Sequence, residues 1–375
     1  MRETEVAIVG GGMVGMTLAI ALRRAGIDVA VIDRATPEQV LAPEYDGRAS
    51  AIAYASVRLL EATGIWAEVA ETQPILDIRV SDGDSLLFLH YDHRAMGGAP
   101  LGQMVENRHL RLAQARAAAR EQVAFVAGSL ATLRRGPGAV EIGLKGGGAV
   151  HARLAVGADG ARSTVRDLAG IGTAGWAYDQ TGIVLTVRHE RPHGGVAHER
   201  FLPAGPFAIL PLAGNRSSLV WTERSDLAAA VLELPEGRFR QELAARFGDF
   251  LGKLTPLGPR WSYPLGLHQA DRYVGDRLAL IGDAAHRMHP IAGQGLNLGL
   301  RDAAALAEVI VDAARLGLDI GGAQALERYQ RWRRFDSIAL LAVTDVLNRL
   351  FSNSLPPVRL ARDAGLAIVN RMPPL

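Results

Sequence analysis

The stretch "GDAAHRMHPIAGQGLNLGLRD", residues 282–302, concentrates the groups that could do chemistry. An acid follows an apolar run, two histidines and a proline come next, and a glycine-rich loop then leads into a plainly helical pattern. Backbone amides without bulky side chains, placed at the positive end of a helix, favour a bound anion or an electron-rich ring edge. The stretch therefore predicts a ligand site, although a loop that only caps a helix would have a similar sequence.

The two histidines, His286 and His289, invite a metal interpretation. We reject it because no third ligand lies nearby in the sequence, the chain has no cysteine and the segment is expected to be a loop rather than a helix. We therefore predict no metal site. The expected role of His286 is packing or hydrogen bonding beside a cofactor, with acid–base chemistry as the alternative.

A glycine motif near the amino terminus predicts a bound dinucleotide. The run "TEVAIV" is typical of a strand, Gly10, Gly12 and Gly15 form G-x-G-x-x-G, a helical pattern follows, and a second strand ends on Asp33. The glycines allow a tight turn and the approach of a pyrophosphate to the helix, while the acid accepts ribose hydroxyls. Arg34 leaves the identity of the dinucleotide undecided, because its side chain is either a clamp for the 2′-phosphate of NADP or solvated.

Two further strand ends point to FAD. Residues 151–166 read as a strand that runs into a turn at Asp159, and residues 272–290 contain a strand that ends at Asp283. A cofactor that reaches all three turns must be long. FAD fits, with its AMP half on the first glycine motif, its ribityl and pyrophosphate near Asp283, and its ring beyond. The alternative role for Asp283 is to cap the turn that follows it.

Several motifs together carry a family resemblance. The segments "GGGMVG", "GADGARSTVR" and "GDAAHRMHPIAGQGLNLGLRD" resemble those of the class A flavoprotein monooxygenases of the para-hydroxybenzoate hydroxylase fold, over essentially the whole chain. Others are similar to the ubiquinone-biosynthesis hydroxylases within that class: "DGRASAIAYASVRLLEATGIW", "VENRHL", "WAYDQTGIV" and "ERFLPAGPFAILPL". The resemblance implies an α/β fold with a Rossmann-like, GR2-type FAD-binding domain, an interleaved β-sheet substrate domain and C-terminal helices.

With FAD in place, the opening stretch gains specific roles. Gly293, Gln294 and Gly295 are expected to turn amides toward the pyrimidine end of the flavin, where negative charge develops on reduction. Pro290 is expected to form a rigid apolar rim where oxygen reacts. These four are the expected catalytic residues. The expected cofactor contacts beyond the glycine motif and this loop are Asp33, Arg34, Arg48, Arg108, Asp159, Asp283, Leu296 and Asn297. The roles of Arg48 and Arg108 are implied by the resemblance. The alternative is that both side chains are ordinary surface charges.

The same anchors divide the chain into two domains. Residues 1–75, 102–175 and 272–375 are expected to form the FAD-binding domain, and 76–101 with 176–271 the substrate domain. Apolar runs separated by Gly, Pro or Asn turns predict strands in the second domain: "GIVLTV", "AHERFL", "FAILPL" and "SSLVWT". The candidate residues lining a substrate cavity are Phe207, Ile209, Leu210 and Trp221, although packing inside the sheet explains such residues equally well.

The function implied by the resemblance is hydroxylation of the phenolic ring of a polyprenylated ubiquinone precursor. FAD, reduced by NAD(P)H or by a protein electron donor, would react with O₂ and transfer one oxygen atom through a flavin hydroperoxide, with water excluded. A pyridine nucleotide would bind transiently near Asp159. Two enzymatic alternatives are a flavin-dependent prenyl-chain reductase and a hydroxylase of another aromatic substrate. The non-enzymatic alternative is a GDI-like prenyl-binding module. Other ubiquinone-biosynthesis proteins are possible partners.

Composition excludes several classes of protein. The chain has 375 residues, 49% of them hydrophobic, no cysteine and a formal net charge of +2. Without cysteine it is no disulfide reductase, and so small a charge indicates no nucleic-acid partner. No apolar run approaches the roughly 20 residues of a membrane span, and the amino terminus lacks a signal-peptide pattern. We therefore expect a cytoplasmic location.

The C-terminal region suggests peripheral contact with the inner face of the membrane. From Gly321 onward there are eight arginines and four acidic residues, a local balance of +4. Within it, Leu340, Val343, Leu347 and Leu350 recur at helical spacing. Such a stripe either packs against its own domain or docks on an anionic membrane, where arginines meet the headgroups.

Overall fold

The computed structural model describes residues 2–42, 47–83, 85, 88–352 and 362. Within these residues the strands are β1 (Arg2–Val9), β2 (Val29–Asp33), β3 (Ala49–Ala53), β4 (Gln73–Ile75), β5 (Asp77–Asp82), β6 (Phe88–Asp92), β7 (Gly102–Glu106), β8 (Ala124–Ala127), β9 (Leu130–Arg135), β10 (Val140–Leu144), β11 (Ala149–Gly157), β12 (Thr173–His189), β13 (Val196–Leu202), β14 (Gly205–Leu212), β15 (Arg216–Arg224), β16 (Leu254–Ala270), β17 (Val274–Gly275), β18 (Leu278–Leu280) and β19 (His286–Arg287). The helices are α1 (Met13–Arg24), α2 (Pro37–Leu41), α3 (Tyr54–Ala62), α4 (Asn107–Arg120), α5 (Thr164–Leu168), α6 (Ser225–Glu233), α7 (Glu236–Phe247), α8 (Gln294–Arg315) and α9 (Ala323–Phe351). Short 3-10 turns occupy Trp66–Glu68, His93–Met96, Gly282–Ala284 and Ile291–Gly293.

The first sheet has a parallel centre. Its order is β17-β18-β11-β1-β2-β8, with β10 and β9 added beside β11. β1 pairs in parallel with β2 and β11, and its second half, Val6–Val9, is buried. Strands that are covered on both faces read as continuous apolar runs, which is why "TEVAIV" and "DVAVID" could be recognised. The predicted α/β fold with its β1–α1–β2 unit is confirmed.

The second sheet is larger than its sequence signals suggested. Its order is β19-β16-β12-β15-β14-β13-β5-β6, and both β12 and β16 have 17 residues. All four strands expected in the 182–222 region are present, as β12 to β15. The sheet strands fall within 76–101 and 176–271 except for the first residues of β12 and all of β19. We keep these ranges as a proposed substrate domain.

Helices cover one face of the second sheet. Phe239, Leu243 and Phe247 of α7 pack with Trp221 and Phe207 of the sheet in one buried cluster. The sequence reading did not anticipate α6 and α7. A small third sheet has the order β3-β7-β4. Its strands β4 and β7 contact β14 of the second sheet, and its strand β3 contacts α8.

The long helix α9 is fixed in its first half by buried polar groups. Asp302 of α8 is fully buried, and its Oδ2 accepts hydrogen bonds from the backbone N–H of Gly282 at 2.9 Å and from Nε2 of His286 at 2.6 Å. Its Oδ1 accepts from Nε of Arg333 on α9 at 2.8 Å. One carboxylate thus connects α8, α9 and the turn after β18. No helix in the described part of the chain is long and apolar enough to cross a membrane.

Replacing Asp302 should destabilise the fold strongly. Asp302→Asn removes the negative charge between Arg333 and His286, and breaking a buried ion pair in this way costs about 3–5 kcal/mol of unfolding free energy. Urea denaturation of the purified variant measures the loss. The matched control is Asp312→Asn on the same helix, whose half-exposed carboxylate pairs with Arg328 and should matter by less than about 0.5 kcal/mol.

The pH dependence of stability has a definite sign at this site. Burial alone would raise the pKa of Asp302, but the adjacent His286 and Arg333 outweigh it and lower that pKa. The contribution of Asp302 is therefore complete above the pKa of the unfolded side chain, about 4, and is lost as the pH falls through the folded value. An Asp302→Asn variant that unfolds at wild-type urea concentrations would contradict this role.

Candidate active site

A cavity of about 790 Å³ lies against the second sheet. One wall consists of turns and helix starts that follow strands of the first sheet, together with β3, and the other is the face of the second sheet that α7 leaves uncovered. Its size falls in the usual range of sites for cofactors and small molecules. Of the expected site residues, the lining includes Gly12, Arg48, Leu210, Asp283, Pro290, Gly293, Gln294, Gly295, Leu296 and Asn297.

The three glycines of the first motif serve different purposes. A Cβ on Gly10 would lie 2.3 Å from the carbonyl oxygen of Ala158, and one on Gly15 would lie 2.1 Å from the carbonyl oxygen of Gly10. These two positions therefore need glycine for backbone packing. A Cβ on Gly12 would meet no heavy atom within 4 Å, because this residue borders the cavity. Gly12 is thus the glycine that leaves room for a ligand.

Asp33 supports the glycine motif from behind. Its Oδ2 accepts a hydrogen bond from the backbone N–H of Gly11 at 2.6 Å, and its Oδ1 accepts from the N–H of Ala35 at 2.9 Å. The neighbouring Arg34 is exposed and is not part of the cavity lining. Contact of either residue with an adenosine ribose remains a prediction. In the structure, the carboxylate of Asp33 holds the glycine turn through the N–H of Gly11.

The turn at Asp159 is held by its own side chain. Oδ1 of Asp159 accepts from the Ser163 hydroxyl, Oδ2 accepts from the backbone N–H of Val165, and burial raises the pKa of this carboxyl. Its neighbours Ala158 and Gly160, rather than Asp159, line the cavity. The expected cofactor contact of Asp159 stays a prediction, and the structure shows a residue that shapes the turn.

Sequence reasoning missed the residue that links the second and third turns. Arg166 is buried and donates to the carbonyl oxygens of Ala284 at 3.1 Å and Ala161 at 3.0 Å. The two strand-end turns are thereby held at a fixed separation. Arg166 lies in a short polar helix, TVRDL, so no local pattern marked it as buried, and nothing in the sequence named its partners.

Asp283 presents a carboxylate to the cavity. Its carbonyl oxygen accepts from Nε2 of His268 at 2.9 Å, and the preceding Gly282, at φ +59°, is fixed through its amide by Asp302. The backbone is thus pinned on both sides, while the Asp283 side chain is exposed toward the cavity. This is the arrangement expected for a residue that receives cofactor hydroxyls.

The loop of the opening stretch is anchored by an amide side chain. Oδ1 of Asn297 accepts from the backbone N–H of Ala53, and its Nδ2 donates to the carbonyl oxygens of Ala51 and Gly293, at 2.8, 2.8 and 3.2 Å. The Asn297 side chain ties the loop to β3, and because Asn297 also lines the cavity its expected cofactor contact stays a prediction. Helix α8 starts at Gln294, two residues before the expected Leu296.

Two helices begin at this cavity without side-chain caps. Gly12 is the cap residue of α1 and Gly293, in the left-handed region at φ +62°, is that of α8, and neither helix start has a side-chain capping bond. The first amides of a helix need acceptors, and here the ligand site lies in front of them. Both helix dipoles therefore favour negative charge in the cavity.

The other predicted polar residues, Arg48, Arg108 and His286, lie in different surroundings. Arg48 lines the cavity, whereas Arg108 is half-exposed, pairs with Glu106 at 3.2 Å and lies outside the lining. His286 is engaged with Asp302, as its predicted hydrogen-bonding role required. Among the residues that the structure describes, neither ring nitrogen of the buried His289 has a partner, and burial lowers its pKa to about 4.

Three of the four predicted substrate residues require correction. Phe207, Ile209 and Trp221 lie in the core between the sheet and α7, not in the cavity lining. Side chains along a strand alternate between faces, so their neighbours face the cavity instead. The lining residues at these strands are Pro206, Ala208 and Leu210 on β14 and Val220 and Thr222 on β15. Leu210 is the one predicted residue with the correct orientation.

The residues present fit FAD. Gly12 and the uncapped start of α1 offer room and amides for a pyrophosphate, Asp283 offers a free carboxylate, and the loop at Gly293 offers amides beside an apolar rim. The comparison with known families agrees. Residues 3–339 match the family described as "FAD binding domain". The chain belongs to the FAD-binding domain family.

Similar proteins extend over nearly the whole chain. Ubiquinone hydroxylase UbiL of Rhodospirillum rubrum is 57% identical over 100% of this chain and 88% of its own. The 3-demethoxyubiquinol 3-hydroxylase of Escherichia coli is 39% identical over 99% and 95%. Among solved structures, PqsL of Pseudomonas aeruginosa, a probable FAD-dependent monooxygenase, has 26% identity, a TM-score of 0.81 and coverage of 97% and 99%.

These comparisons confirm the predicted cofactor and enzyme class of this family member. FAD is the cofactor, and the chain is an FAD-dependent aromatic monooxygenase. The class requires O₂ as co-substrate and a reductant. The individual residue roles remain proposals drawn from the geometry above.

A valine at position 12 should separate FAD binding from folding. Gly12→Val places its branches in open space in front of α1, so the apoprotein should keep its fold while the pyrophosphate is blocked. We expect the FAD dissociation constant to rise about 100-fold, equivalent to about 2.7 kcal/mol. Fluorescence titration of apoprotein with FAD measures it. Gly138→Val, at an exposed position with equally open surroundings, is the control and should bind FAD normally. Tight FAD binding by Gly12→Val would contradict the assigned site.

Proposed function

We propose that this chain hydroxylates the aromatic ring of a polyprenylated phenol, a precursor of ubiquinone. The observation that carries the proposal is the cavity itself, which joins the loop at Gly293 to a sheet face lined mainly by apolar side chains. The hydroxylase names of the relatives support the same reaction. A wall of aliphatic side chains suits a hydrocarbon tail, and the nearby loop supports a position of the ring beside the cofactor.

The chain's own residues would bind, orient and shield the reactants. When bound, FAD supplies the chemistry by taking electrons from the reductant and activating O₂ for insertion into the ring. Gly12 and α1 hold the pyrophosphate, Asp283 receives the ribityl hydroxyls, and the amides at Gly293–Gly295 stabilise negative charge on the ring system. Pro290 and Ile291 form an apolar rim that excludes water.

Product analysis with isotope-labelled dioxygen tests the reaction. FAD-loaded protein, NADH and 2-octaprenylphenol should give a product that carries one labelled oxygen atom on the ring, detected by mass spectrometry. Gly12→Val, without FAD, is the control and should give none. A product that gains hydrogen across a tail double bond, with no oxygen consumed, would establish the prenyl-chain reductase instead.

We also propose that α9 contacts an anionic membrane. Its exposed face carries an apolar strip formed by Phe335, Val343, Val346 and Leu350, with exposed fractions of 79, 54, 61 and 41%. Exposed Arg331 and Arg334 lie along one side of that face. Large exposed apolar side chains next to arginines are typical of helices that lie in the headgroup region.

The predicted leucine stripe divides between two faces of α9. Val343 and Leu350 are exposed, whereas Leu340 and Leu347 pack against the interior. Leu347 and Phe351 also line the cavity, one residue after Val346 and Leu350 of the apolar strip. The last turns of α9 therefore bring the outer surface and the cavity close together, which supports entry of a prenyl tail at this end.

Vesicle flotation tests the membrane contact. The protein should float with vesicles that contain phosphatidylglycerol at low salt, float little at about 0.5 M salt because the charges are screened, and stay unbound with phosphatidylcholine alone. Val346→Asp should abolish flotation. Leu316→Asp, at a 73% exposed leucine just after α8, is the matched control and should float as wild type. Equal flotation of both variants would reject the apolar strip as the contact.

A further inference from the structure

One acidic side chain interrupts the apolar wall of the cavity. Glu199 lies on β13 and lines the cavity together with Ala197 and Phe201, two positions before and after it. Its cross-strand partners are Val80 on β5 and Ala208 on β14, which also line the cavity. The four side chains around this carboxyl on the same sheet face are thus all apolar.

The carboxyl of Glu199 lacks a partner among the residues that the structure describes. Among the described residues, none donates a hydrogen bond or forms an ion pair with it, although the side chain is reachable from the cavity. Burial raises the pKa of Glu199 to about 7. An unpaired buried carboxyl costs folding free energy, so a ligand that enters the cavity is its natural partner.

The surrounding charged groups do not explain the raised pKa of Glu199. The other titratable residues that line the cavity are Arg48, Tyr91, His198, Tyr263, Asp283, His286 and Arg287. On β13 itself, the ring of His198 packs on Phe250, and Arg200 donates to the carbonyl oxygen of Arg246 in α7. Burial is the sole cause of the raised pKa of Glu199, and none of these groups contributes to it. The carboxyl is therefore free to respond to a substrate.

We propose that Glu199 is a catalytic base that accepts the proton of the ring hydroxyl of the phenolic substrate. The inference rests on the proposed function, because it requires a phenol in the cavity. The O–H bond of the substrate breaks, an O–H bond forms on the Glu199 carboxylate, and the electron pair stays on the phenolic oxygen. The ring becomes more electron-rich, as attack on an electrophilic oxygen requires, and the proton passes to water after the product leaves.

The protonation behaviour of Glu199 suits this role near neutral pH. A general base works best when its pKa lies close to the working pH, since it is then partly ionised and still basic. In the free protein at pH 7, about half of the molecules carry the carboxylate, which follows from a pKa of about 7. A phenol that donates to the carboxylate selects that form, so its binding should release protons.

Calorimetry with a simple probe tests the contact. The FAD-loaded protein is titrated at pH 8 with 2-geranylphenol and with geranylbenzene, which lacks the hydroxyl. Wild type should prefer the phenol by about 10- to 100-fold, as expected for a hydrogen bond to a charged group. Glu199→Gln should lose most of this preference. Glu242→Gln, on the exposed side of α7, is the matched control and should retain it.

Proton release is the readout that a merely structural role would not change. At pH 7, titrations in buffers of different ionisation enthalpy should show about half a proton released per 2-geranylphenol bound to wild type, and none for Glu199→Gln. Wild-type affinity should rise with pH and level off above about pH 7, whereas the variant should show no such dependence. Turnover of the loaded variant should fall about 100-fold or more, with normal FAD content.

The outcomes separate this inference from the proposed function. If wild type binds and hydroxylates 2-geranylphenol while Glu199→Gln matches it in phenol preference, proton release and turnover, the base assignment is overturned and the proposed function stands. If wild type binds neither probe and oxidises no prenylated phenol, the proposed function fails and this inference fails with it.

Discussion

The buried carboxylate of Asp302 is the contact on which the cavity wall depends. It is shared by the amide of Gly282, the ring of His286 and the guanidinium of Arg333. A buried charge is tolerated only when its hydrogen-bonding capacity is used, so these three segments cannot shift independently. Because the turn at Gly282 is held from inside the protein, the next side chain, Asp283, is left to face the cavity.

Several polar residues that look like ligand contacts are occupied in shaping loops. Asp33 accepts hydrogen bonds from Gly11 in the glycine turn and from Ala35, Asp159 accepts within its own turn, and Asn297 bonds to β3. Two helix starts whose backbone amides lack side-chain caps border the same cavity. Such dipoles are fixed before the cofactor arrives and need no reorganisation when charge develops, which side chains on flexible stems do not offer.

The sequence predicted the β1–α1–β2 unit better than the second sheet for a physical reason. A β–α–β unit with its glycines has a periodic and positional signal, so β1, α1 and β2 were placed nearly to the residue. Both faces of β14 and β15 are enclosed, one by α7 and one by the cavity, so runs such as "FAILPL" show no alternation that would tell which residues face the substrate. Arg166 was missed because its main partner, the carbonyl oxygen of Ala284, is distant in the sequence. Glu199 was missed because only the folded structure shows that it lines the cavity without a partner among the described residues.

Helix α9 shows how one element can serve the core, the cavity and the surface at once. It is held on its inner side at successive positions, by Arg333 to Asp302, by Asp345 to the hydroxyl of Tyr178 at 2.6 Å, and by Asn348 to Gln180 at 3.1 Å. These polar bonds fix the rotation of the helix about its axis, which apolar packing alone leaves adjustable. The outward direction of the apolar strip therefore follows from buried hydrogen bonds on the opposite side, and rotating that strip inward would require breaking all three.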